Sequence, residues 1–258
     1  MRELLEAVAA GELSVDAAEA ELAGYVTGDA GRFDAARWDR VGVPEGILAA
    51  GKTPEEVAEL VALAVETTDH ALVTRAEAAV VAAVRERIDA TAPESTVVVD
   101  DRAGTVVVHG PRYDPPTLDA RVGVVTAGTS DAVPAGEAAV VLRESGVRVT
   151  RIDDVGVAGL ARLVDQLETL RAQDVLVVAA GREGALPTVL AGLVDVPLIG
   201  VPVSTGYGYG GEGEAALAGM LQSCAPIAVV NIDAGFAAGV QATLVARAID
   251  AARTENSR

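Results

Sequence analysis

Five apolar runs rich in β-branched residues alternate with segments of helical periodicity from Arg121 towards the end of the chain. The runs are Arg121–Val125, Val147–Ile152, Asp174–Ala179, Val196–Val201 and Pro226–Asn231, and the helical segments are Pro134–Glu144, Gly159–Arg171, Leu186–Leu193, Glu214–Gln222 and Ala237–Ala251. Continuous apolar strands separated by helices are typical of a parallel sheet that is covered on both faces. The pattern therefore predicts a doubly wound, five-stranded α/β domain, to which we assign residues 119–258.

Residues 1–118 lack this alternation and predict a smaller, mainly helical domain. Thr53-Pro54-Glu55-Glu56 combines a capping threonine, a first-turn proline and a glutamate at the third helical position, which together mark a strong helix start. Ser14 is placed to cap an earlier helix through residues 17–22.

A hairpin and a linker are expected between these helices and the α/β domain. Two valine runs, Val97–Val99 and Val106–Val108, favour a short hairpin because they flank a turn that contains Gly104. The following segment, residues 110–116, contains one glycine and three prolines and has the turn chemistry of a linker.

The chain is strongly acidic, with a formal net charge of −18. Such a surface repels nucleic acid and anionic membranes, so neither is expected as a partner. An anionic ligand would need a local exception, such as a helix N-terminus or an arginine. The sequence has no uninterrupted apolar run of about 20 residues, and its start lacks the features of a signal peptide. We therefore expect a cytoplasmic protein.

Cys224 is the only cysteine, and the two histidines, His70 and His109, lie far apart in the sequence. An intrachain disulfide is impossible, and a classical zinc site is not expected. A lone cysteine is more often an inert buried residue than a nucleophile. Cys224 also follows a predicted helix, whose C-terminal end carries a partial negative charge that disfavours a thiolate. If Cys224 attacks a substrate, the electrophile should itself be a cation.

Ligands of doubly wound sheets bind beyond the carboxyl ends of the strands, so the loops there are the place to search. The first loop carries Thr129, Ser130 and Asp131, where hydroxyl groups and a helix N-terminus favour an anion. An ordinary turn with Ser and Asp as caps is the alternative. The second loop has Asp153 and Asp154, which suit a metal or substrate hydroxyl groups, but equally a solvated turn.

The third loop places an arginine and a glutamate beside glycines. Gly181 precedes Arg182, which can hold a phosphate or a carboxylate, and Glu183, which can move a proton if it is partly desolvated. A surface ion pair is the alternative interpretation.

The fourth loop contains five glycines and two tyrosines between Pro202 and Glu214. This composition favours a mobile, substrate-covering loop that includes Ser204, Gly206 and Tyr207, with a flexible connector as the alternative. After the fifth strand, Asn231 and Asp233 are candidates for ligand contact, although Asp233 can instead cap the last helix.

Together these loops resemble the nickel-pincer-nucleotide biosynthesis carboxylase/hydrolase (LarB) family, also called pyridinium-3,5-biscarboxylic acid mononucleotide synthases. The resemblance is carried by Thr126–Asp131, Val155–Gly159, Glu183–Pro187, Ser204–Gly208, Gln222–Pro226 and Asn231–Asp233, and in the first half by Asp34–Glu45, Gly51–Thr53 and Thr74-Arg75. The C-terminal half of that family is related to the aminoimidazole ribonucleotide carboxylases. The resemblance therefore implies a PurE-like sheet of the flavodoxin type.

The resemblance also implies an activity. The family adds CO2 to C5 of the pyridinium ring of nicotinic acid adenine dinucleotide and cleaves the phosphoanhydride, which releases AMP. The matching residues make Cys224 the nucleophile that adds to the ring and Glu183 the carrier of the C5 proton. Substrate-binding residues are then expected among Thr129, Ser130, Asp131, Gly181, Ser204, Gly206, Tyr207, Asn231 and Asp233. Mg²⁺ is expected with the substrate diphosphate, its protein ligands being unassigned, and the family likeness implies a homo-oligomer, with an octamer as the leading size.

Two departures from the family pattern bear on the alternatives. Arg182 stands where an apolar residue is expected, and Ala161 stands where a histidine is frequent. The purine carboxylases use a histidine after the second strand, and its absence argues against carboxylation of an imidazole ribonucleotide. A nucleotide-binding module without chemistry is the remaining alternative.

Overall fold

The five predicted apolar runs form one parallel sheet in the computed structural model of this protein. The structure describes residues 2–11, 13–15, 18, 22 and 24–256. The chain divides into two units, Met1–Asp114 and Pro115–Arg258. The helix predicted after Ser14 lies largely outside the described residues.

The elements are numbered in chain order. The strands are β1 (Val26–Gly28), β2 (Gly31–Phe33), β3 (Gly46–Leu48), β4 (His70–Thr74), β5 (Thr96–Asp100), β6 (Thr105–His109), β7 (Arg121–Thr126), β8 (Arg148–Ile152), β9 (Val175–Ala180), β10 (Leu198–Pro202) and β11 (Ala228–Val229). The helices are α1 (Arg2–Ala10), α2 (Arg37–Val41), α3 (Pro54–Thr68), α4 (Ala78–Thr91), α5 (Ala132–Glu144), α6 (Leu160–Val164), α7 (Leu167–Arg171), α8 (Ala185–Ala191), α9 (Glu214–Leu221) and α10 (Gly235–Asn256).

The C-terminal sheet has the strand order β8-β7-β9-β10-β11, and all neighbouring strands are parallel. This order is the flavodoxin-type arrangement, in which the chain starts next to one edge and then proceeds across the sheet. The central strand β9 is buried over its whole length, as a run of Val, Leu and Ala between two helical layers requires. The predicted doubly wound α/β fold is confirmed.

Two separate apolar cores lie on the two faces of this sheet. One face packs α5 and α10 against β7, β9 and β10, and the other packs α6 to α9 against the same strands. The α5–α10 contact is backbone to backbone, because a Cβ at Gly235 would lie 2.0 Å from the Pro134 carbonyl oxygen and one at Gly239 would lie 2.9 Å from that of Ala138. Only glycine permits this approach.

Two predicted elements of the C-terminal unit differ from the structure. The helix expected over Gly159–Arg171 is divided into α6 and α7, because Gln166 donates its backbone N–H to Leu163 three residues back, which tightens the turn there. The fifth strand was expected over Pro226–Asn231 but is limited to the two residues of β11. It is an edge strand, and Pro226 has no N–H to donate to a ladder.

The N-terminal unit contains a four-stranded mixed sheet of order β3-β4-β6-β5 besides its helices. β3 pairs with β4 in parallel, whereas β4–β6 and β5–β6 are antiparallel. The predicted hairpin is β5–β6. The helical pattern did not predict β3 and β4, since both are too short to show a period of their own. A separate ribbon pairs β1 with β2.

Helix α3 begins as the sequence predicts. The Thr53 hydroxyl accepts from the Glu56 backbone N–H at 3.2 Å, while the Glu56 carboxylate accepts from the Thr53 N–H at 2.8 Å. Helices α3 and α4 bury their apolar faces with one face of the mixed sheet in a single core. None of the helices in the described part of the chain combines the length and hydrophobicity that a bilayer crossing demands.

Candidate active site

Asp131 joins two loops at the carboxyl edge of the parallel sheet. Its side chain is only 3% exposed, and its Oδ2 accepts from the Gly128 backbone N–H at 2.8 Å. The backbone N–H groups of Ala127 and Gly181 also favour the charged form of this carboxylate, although the Ala127 N–H donates to the Ala179 carbonyl oxygen at 3.0 Å. Burial raises the pKa of Asp131, and the three backbone N–H groups offset this only in part. The loop after β7 is thereby fastened to the loop after β9.

The neighbours of Asp131 are arranged differently. Thr129 and Ser130 are exposed, so their hydroxyl groups are accessible to a ligand. The Thr205 hydroxyl donates to the Ser130 carbonyl oxygen at 3.4 Å, which brings the loop after β10 to the same place. Of the three residues predicted in the first loop, Asp131 holds the loop backbone in place, whereas the side chains of Thr129 and Ser130 face solvent.

The two aspartates after β8 are engaged in local bonds. Asp153 accepts from the Thr126 hydroxyl at 3.1 Å and from Arg151 at 2.7 Å. Asp154 donates its backbone N–H to the Thr126 hydroxyl oxygen at 3.1 Å, and its carboxylate accepts from Arg162 at 2.6 Å. These bonds favour the capped-turn interpretation of this loop over a preformed metal site.

The loop after β9 does not contain the ion pair that its sequence allowed. The Arg182 guanidinium lies over the Tyr207 ring, 4.3 Å from the ring centroid, and donates to the Tyr207 carbonyl oxygen at 3.4 Å. Glu183 is exposed. Its carbonyl oxygen contacts α9, where a Cβ at Gly219 would come within 2.3 Å of it.

The glycine-rich loop after β10 is fixed at its start and open at its tip. Asp233 accepts from the Ser204 backbone N–H at 2.9 Å and donates its own N–H to Pro202 at 2.9 Å. Asp233 was predicted as a candidate for ligand contact. In the structure its carboxylate holds the start of the glycine-rich loop. Tyr207 and Tyr209 are 80% and 108% exposed, respectively.

Two other predicted residues have clear positions. Gly206 lies against Arg182, where a Cβ would approach the Arg182 backbone nitrogen to 3.4 Å. The Asn231 side chain accepts from the Ile232 N–H at 2.9 Å and is otherwise exposed.

Cys224 is a free, exposed cysteine in the segment between α9 and β11. This segment leads into the amino end of β11, so Cys224 does not belong to the group of residues at the carboxyl ends of the strands. Its connection to that group runs along α9, because Glu183 contacts this helix at Gly219 and Cys224 follows five residues later.

Sequence reasoning missed two residues that shape the site. Thr205 links two loops through its hydroxyl group, and Gly219 allows the Glu183 loop to touch α9. A glycine inside a predicted helix was a usable signal for a close backbone approach. Thr205 carried no signal beyond its place in a strand-end loop.

Three cations of the N-terminal unit, Arg37, Arg40 and Lys52, are bonded within that unit. Arg40 binds Asp34 through two hydrogen bonds of 2.8 and 2.6 Å, and Arg37 lies 3.1 Å from Glu45. The hydrogen bond from Arg40 lowers the pKa of Asp34, whereas burial raises that of Glu45. Lys52 donates to the Leu48 carbonyl oxygen at 2.6 Å.

Comparison with known proteins places both units in families. The AIR carboxylase model matches residues 121–258, and the model of the LarB/PurE-like N-terminal domain matches residues 25–109. The Methanocaldococcus jannaschii protein MJ0165, described as uncharacterized, is 38% identical over 254 residues, which cover 96% of this chain and 97% of that one. A solved structure of a Treponema denticola PurE2 variant covers 53% of this chain and 94% of its own, with 20% identity and a TM-score of 0.39.

An AIR-carboxylase domain on a doubly wound parallel sheet, with its loops joined at the carboxyl edge, defines a PurE-like, carboxylase-type protein. The N-terminal match narrows this class. The chain belongs to the LarB family.

Proposed function

We propose that this protein carboxylates the pyridinium ring of nicotinic acid adenine dinucleotide and cleaves its phosphoanhydride, yielding pyridinium-3,5-biscarboxylic acid mononucleotide and AMP. The observation that carries the proposal is the exposed thiol of Cys224, which lies just beyond α9, the helix that the Glu183 backbone contacts at Gly219. Cys224 follows Gly219 by five positions and the last residue of α9, Leu221, by three. Helix α9 thus lies between the Glu183 loop, which it contacts through backbone atoms, and the segment that carries Cys224.

The chemistry proceeds through a temporary loss of aromaticity. The Cys224 thiolate adds to ring C4, and the electron pair moves to the ring nitrogen, which neutralises the pyridinium charge. The resulting electron-rich dihydropyridine forms a bond from C5 to CO2. Glu183 then accepts the C5 proton, and departure of the thiolate restores the aromatic ring. The cationic ring is the electrophile expected for a cysteine in a half of the chain whose sequence contains no histidine.

The loops at the carboxyl edge suit the rest of the dinucleotide. Thr129 and Ser130 are exposed, and Ser204, Gly206 and Tyr207 belong to a loop that is held at its start and exposed at its tip. Gly181, Asp131, Asn231 and Asp233 complete the proposed binding region, with Asp131 and Asp233 acting through the backbone they hold.

We propose that Mg²⁺ binds at this edge of the sheet together with the substrate. The aspartates of the strand-end loops are already hydrogen-bonded, Asp131 and Asp233 to backbone N–H groups and Asp153 and Asp154 to arginines. Mg²⁺ retains water readily and is often held by substrate phosphates instead of a protein cage. We propose that it enters with the diphosphate, whose charge it balances in this acidic chain.

A homo-oligomer is part of the proposal, with an octamer as the expected size and the cytoplasm as the expected location. Large apolar side chains of the C-terminal unit are exposed in a single chain, among them Leu160, Val164 and Leu221 at 51%, 53% and 66%. Such side chains favour association with further copies. Light scattering coupled to gel filtration measures the size directly, and a monomeric mass would contradict this part.

The central experiment incubates the purified chain with nicotinic acid adenine dinucleotide, isotopically labelled bicarbonate and Mg²⁺, followed by mass spectrometry. We expect one labelled carboxyl group in the mononucleotide product and an equal amount of AMP. Cys224→Ser should abolish the product, and Glu183→Gln should reduce its rate by about 10²- to 10⁴-fold, as expected for a lost proton carrier.

The exposed neighbour Gln222 provides the matched control, and Gln222→Ala should keep the wild-type rate. Wild-type carboxylation by Cys224→Ser would exclude the thiol as nucleophile.

The AIR carboxylase match favours a second candidate, carboxylation of an imidazole ribonucleotide. The loop after β8 contains no histidine, which argues against this candidate. Supplying aminoimidazole ribonucleotide in the same assay separates the two activities. A pure binding module would retain dinucleotide affinity in Cys224→Ser and form no product in any variant.

A further inference from the structure

We propose that Arg182 recognises the ring carboxylate of the substrate and that Tyr207 is the positioning residue that holds Arg182 ready for it. The inference rests on the proposed function and assigns the residue that distinguishes nicotinic acid from nicotinamide dinucleotides.

In the described part of the chain, Arg182 has no acidic partner, in contrast to Arg151 of β8 and Arg162 of α6. Arg151 pairs with Asp153 at 2.7 Å and Arg162 pairs with Asp154 at 2.6 Å. Among the described residues, no carboxylate lies within ion-pair distance of Arg182, which contacts the face and carbonyl oxygen of Tyr207 instead. The Arg182 guanidinium is therefore a positive group that an anionic ligand can bind, although the chain as a whole is strongly acidic.

The contact with Tyr207 leaves the guanidinium able to bind. Stacking uses the face of the guanidinium plane, whereas its N–H donors point outward along the edge. One N–H group reaches the Tyr207 carbonyl oxygen at a long 3.4 Å, and the remaining donors match the two oxygens of a carboxylate. An exposed cation–π contact is weak compared with such a charged pair, so the ligand can take the guanidinium from Tyr207 or share it.

The backbone fixes where Arg182 projects. Its φ of 53° lies in the left-handed region, which a side chain other than glycine adopts at an energetic cost. Gly206 packs against the Arg182 backbone, and the Gly184 N–H donates to Gly181 at 3.0 Å, which closes the turn around it. A strained residue held by its surroundings is a frequent feature of ligand sites.

The position next to Glu183 selects the carboxylate over the diphosphate as the ligand. The proposed reaction removes the proton from ring C5, and the substrate carboxylate is attached at C3, two ring atoms away. If Glu183 reaches C5, the adjacent residue is placed near the substituent in the meta position. The diphosphate lies beyond the ribose, farther from the ring.

The test compares two dinucleotides that differ only at this group. Nicotinamide adenine dinucleotide has a carboxamide in place of the carboxylate and keeps the diphosphate. By calorimetry in CO2-free buffer, Arg182→Met should raise the Kd for nicotinic acid adenine dinucleotide by about 10- to 100-fold. Its Kd for nicotinamide adenine dinucleotide should change by less than about threefold.

Further variants refine the assignment. Arg182→Lys keeps the charge but loses the planar fork, so it should recover only part of the affinity. Tyr207→Leu should weaken binding of the acid dinucleotide by about three- to fivefold through its effect on Arg182. Arg162→Met is the matched control, since it removes the same charge from a residue that is already paired with Asp154; both affinities should remain within twofold of wild type.

Each outcome decides a separate point. Equal losses for both dinucleotides, or no loss for either, would overturn the carboxylate assignment even if the wild-type enzyme forms product. If the wild-type chain neither binds nor converts nicotinic acid adenine dinucleotide, the proposed function fails and this inference fails with it. An unchanged circular dichroism spectrum and Tm of Arg182→Met exclude unfolding as the cause of a loss.

Discussion

Two loops at the same edge of the parallel sheet are built in opposite ways. The loop after β7 is closed around the buried Asp131 carboxylate, which accepts from the Gly128 backbone N–H and interacts with the Gly181 backbone of the loop after β9. The loop after β10 is fastened mainly at its start, by Asp233 and Thr205, and it exposes Tyr207 and Tyr209. A fixed frame places reacting groups accurately, and a loosely held segment can admit and then cover a large substrate. The site therefore divides these two tasks between neighbouring loops.

The largest effect on stability is expected when the Asp131 carboxylate is removed from the loop after β7. Asp131→Ala removes the acceptor of the Gly128 N–H and the interaction of the carboxylate with the Gly181 backbone, and we expect it to lower the free energy of unfolding by about 2–4 kcal/mol. Turnover should fall with it, because two loops lose their connection. Urea denaturation followed by far-ultraviolet circular dichroism measures the first effect.

Ser130→Ala is the matched control for this substitution, because the adjacent side chain is exposed. It should change stability by less than about 0.5 kcal/mol. Equal effects of the two substitutions would show that the Asp131 carboxylate does not organise the loop.

A smaller effect is expected where the Glu183 loop meets α9. Gly219→Ala would place a Cβ 2.3 Å from the Glu183 carbonyl oxygen, so the helix or the loop must move. We expect a loss of about 1–3 kcal/mol in stability and a fall in kcat, because Glu183 and Cys224 are displaced relative to each other.

Gly192→Ala tests whether this effect is local. Its Cβ would lie 3.5 Å from the nearest atom, which is an ordinary contact, and stability should stay within about 0.5 kcal/mol of wild type. A tolerated Gly219→Ala variant with full activity would contradict the role given to this contact.

The pH dependence of stability is expected to differ between two aspartates, Asp131 and Asp174. Burial raises the pKa of Asp131, so the stability that this group contributes is fully present below its unfolded pKa and is lost as the pH rises through its folded pKa. Asp174 is the opposite case. Burial opposes ionisation there, but bonds from Arg253 and the Arg121 N–H prevail and lower its pKa. Its contribution is present above the unfolded pKa and is lost as the pH falls through the folded pKa.

The measurement compares unfolding free energies of wild type with Asp131→Asn and with Asp174→Asn between pH 3 and pH 7. The stability of wild type relative to Asp131→Asn should fall as the pH rises, and that relative to Asp174→Asn should increase. Two differences that change in the same direction would show that one of the two environments is assigned incorrectly.

The smallest effect is expected at the tip of the open loop. Tyr209 is fully exposed, so Tyr209→Ala should change the free energy of unfolding by less than about 0.5 kcal/mol. Any effect should appear in KM, since the loop acts on the bound substrate and not on the folded core. A large loss of stability would show that this loop packs more firmly than its exposure indicates.

The parallel sheet was predictable because its strands are buried on both faces, which leaves continuous apolar runs such as Val175–Ala180 in the sequence. The strands β3 and β4 were not predictable on the same grounds. They are short, and His70 and Thr74 bound the buried run of β4 with polar residues. The extent of β11 depended on the lack of a further neighbour at the sheet edge, which no local pattern records.

The site was predictable at the level of loops but not of contacts. Topology alone brought Asp131, Gly181 and Ser204 to one edge. The sequence did not reveal that Asp131 is buried against backbone donors, because an aspartate in a turn looks the same when it faces solvent. The partner of Arg182 was also hidden: Glu183 is adjacent in sequence, yet the left-handed backbone at Arg182 and the approach of Tyr207 from another loop decide the contact.

The glycine contacts between α5 and α10 have a consequence for how this protein tolerates change. Asp233, which holds the glycine-rich loop, lies two residues before the first residue of α10, the helix that packs closely against α5 at Gly235 and Gly239. Adding a methyl group at either glycine would push the whole helix outward and carry the loop anchor with it. Random mutagenesis should therefore find inactive variants in a helix seam that no ligand reaches, and substitutions selected there will alter substrate handling only through displacement of the scaffold.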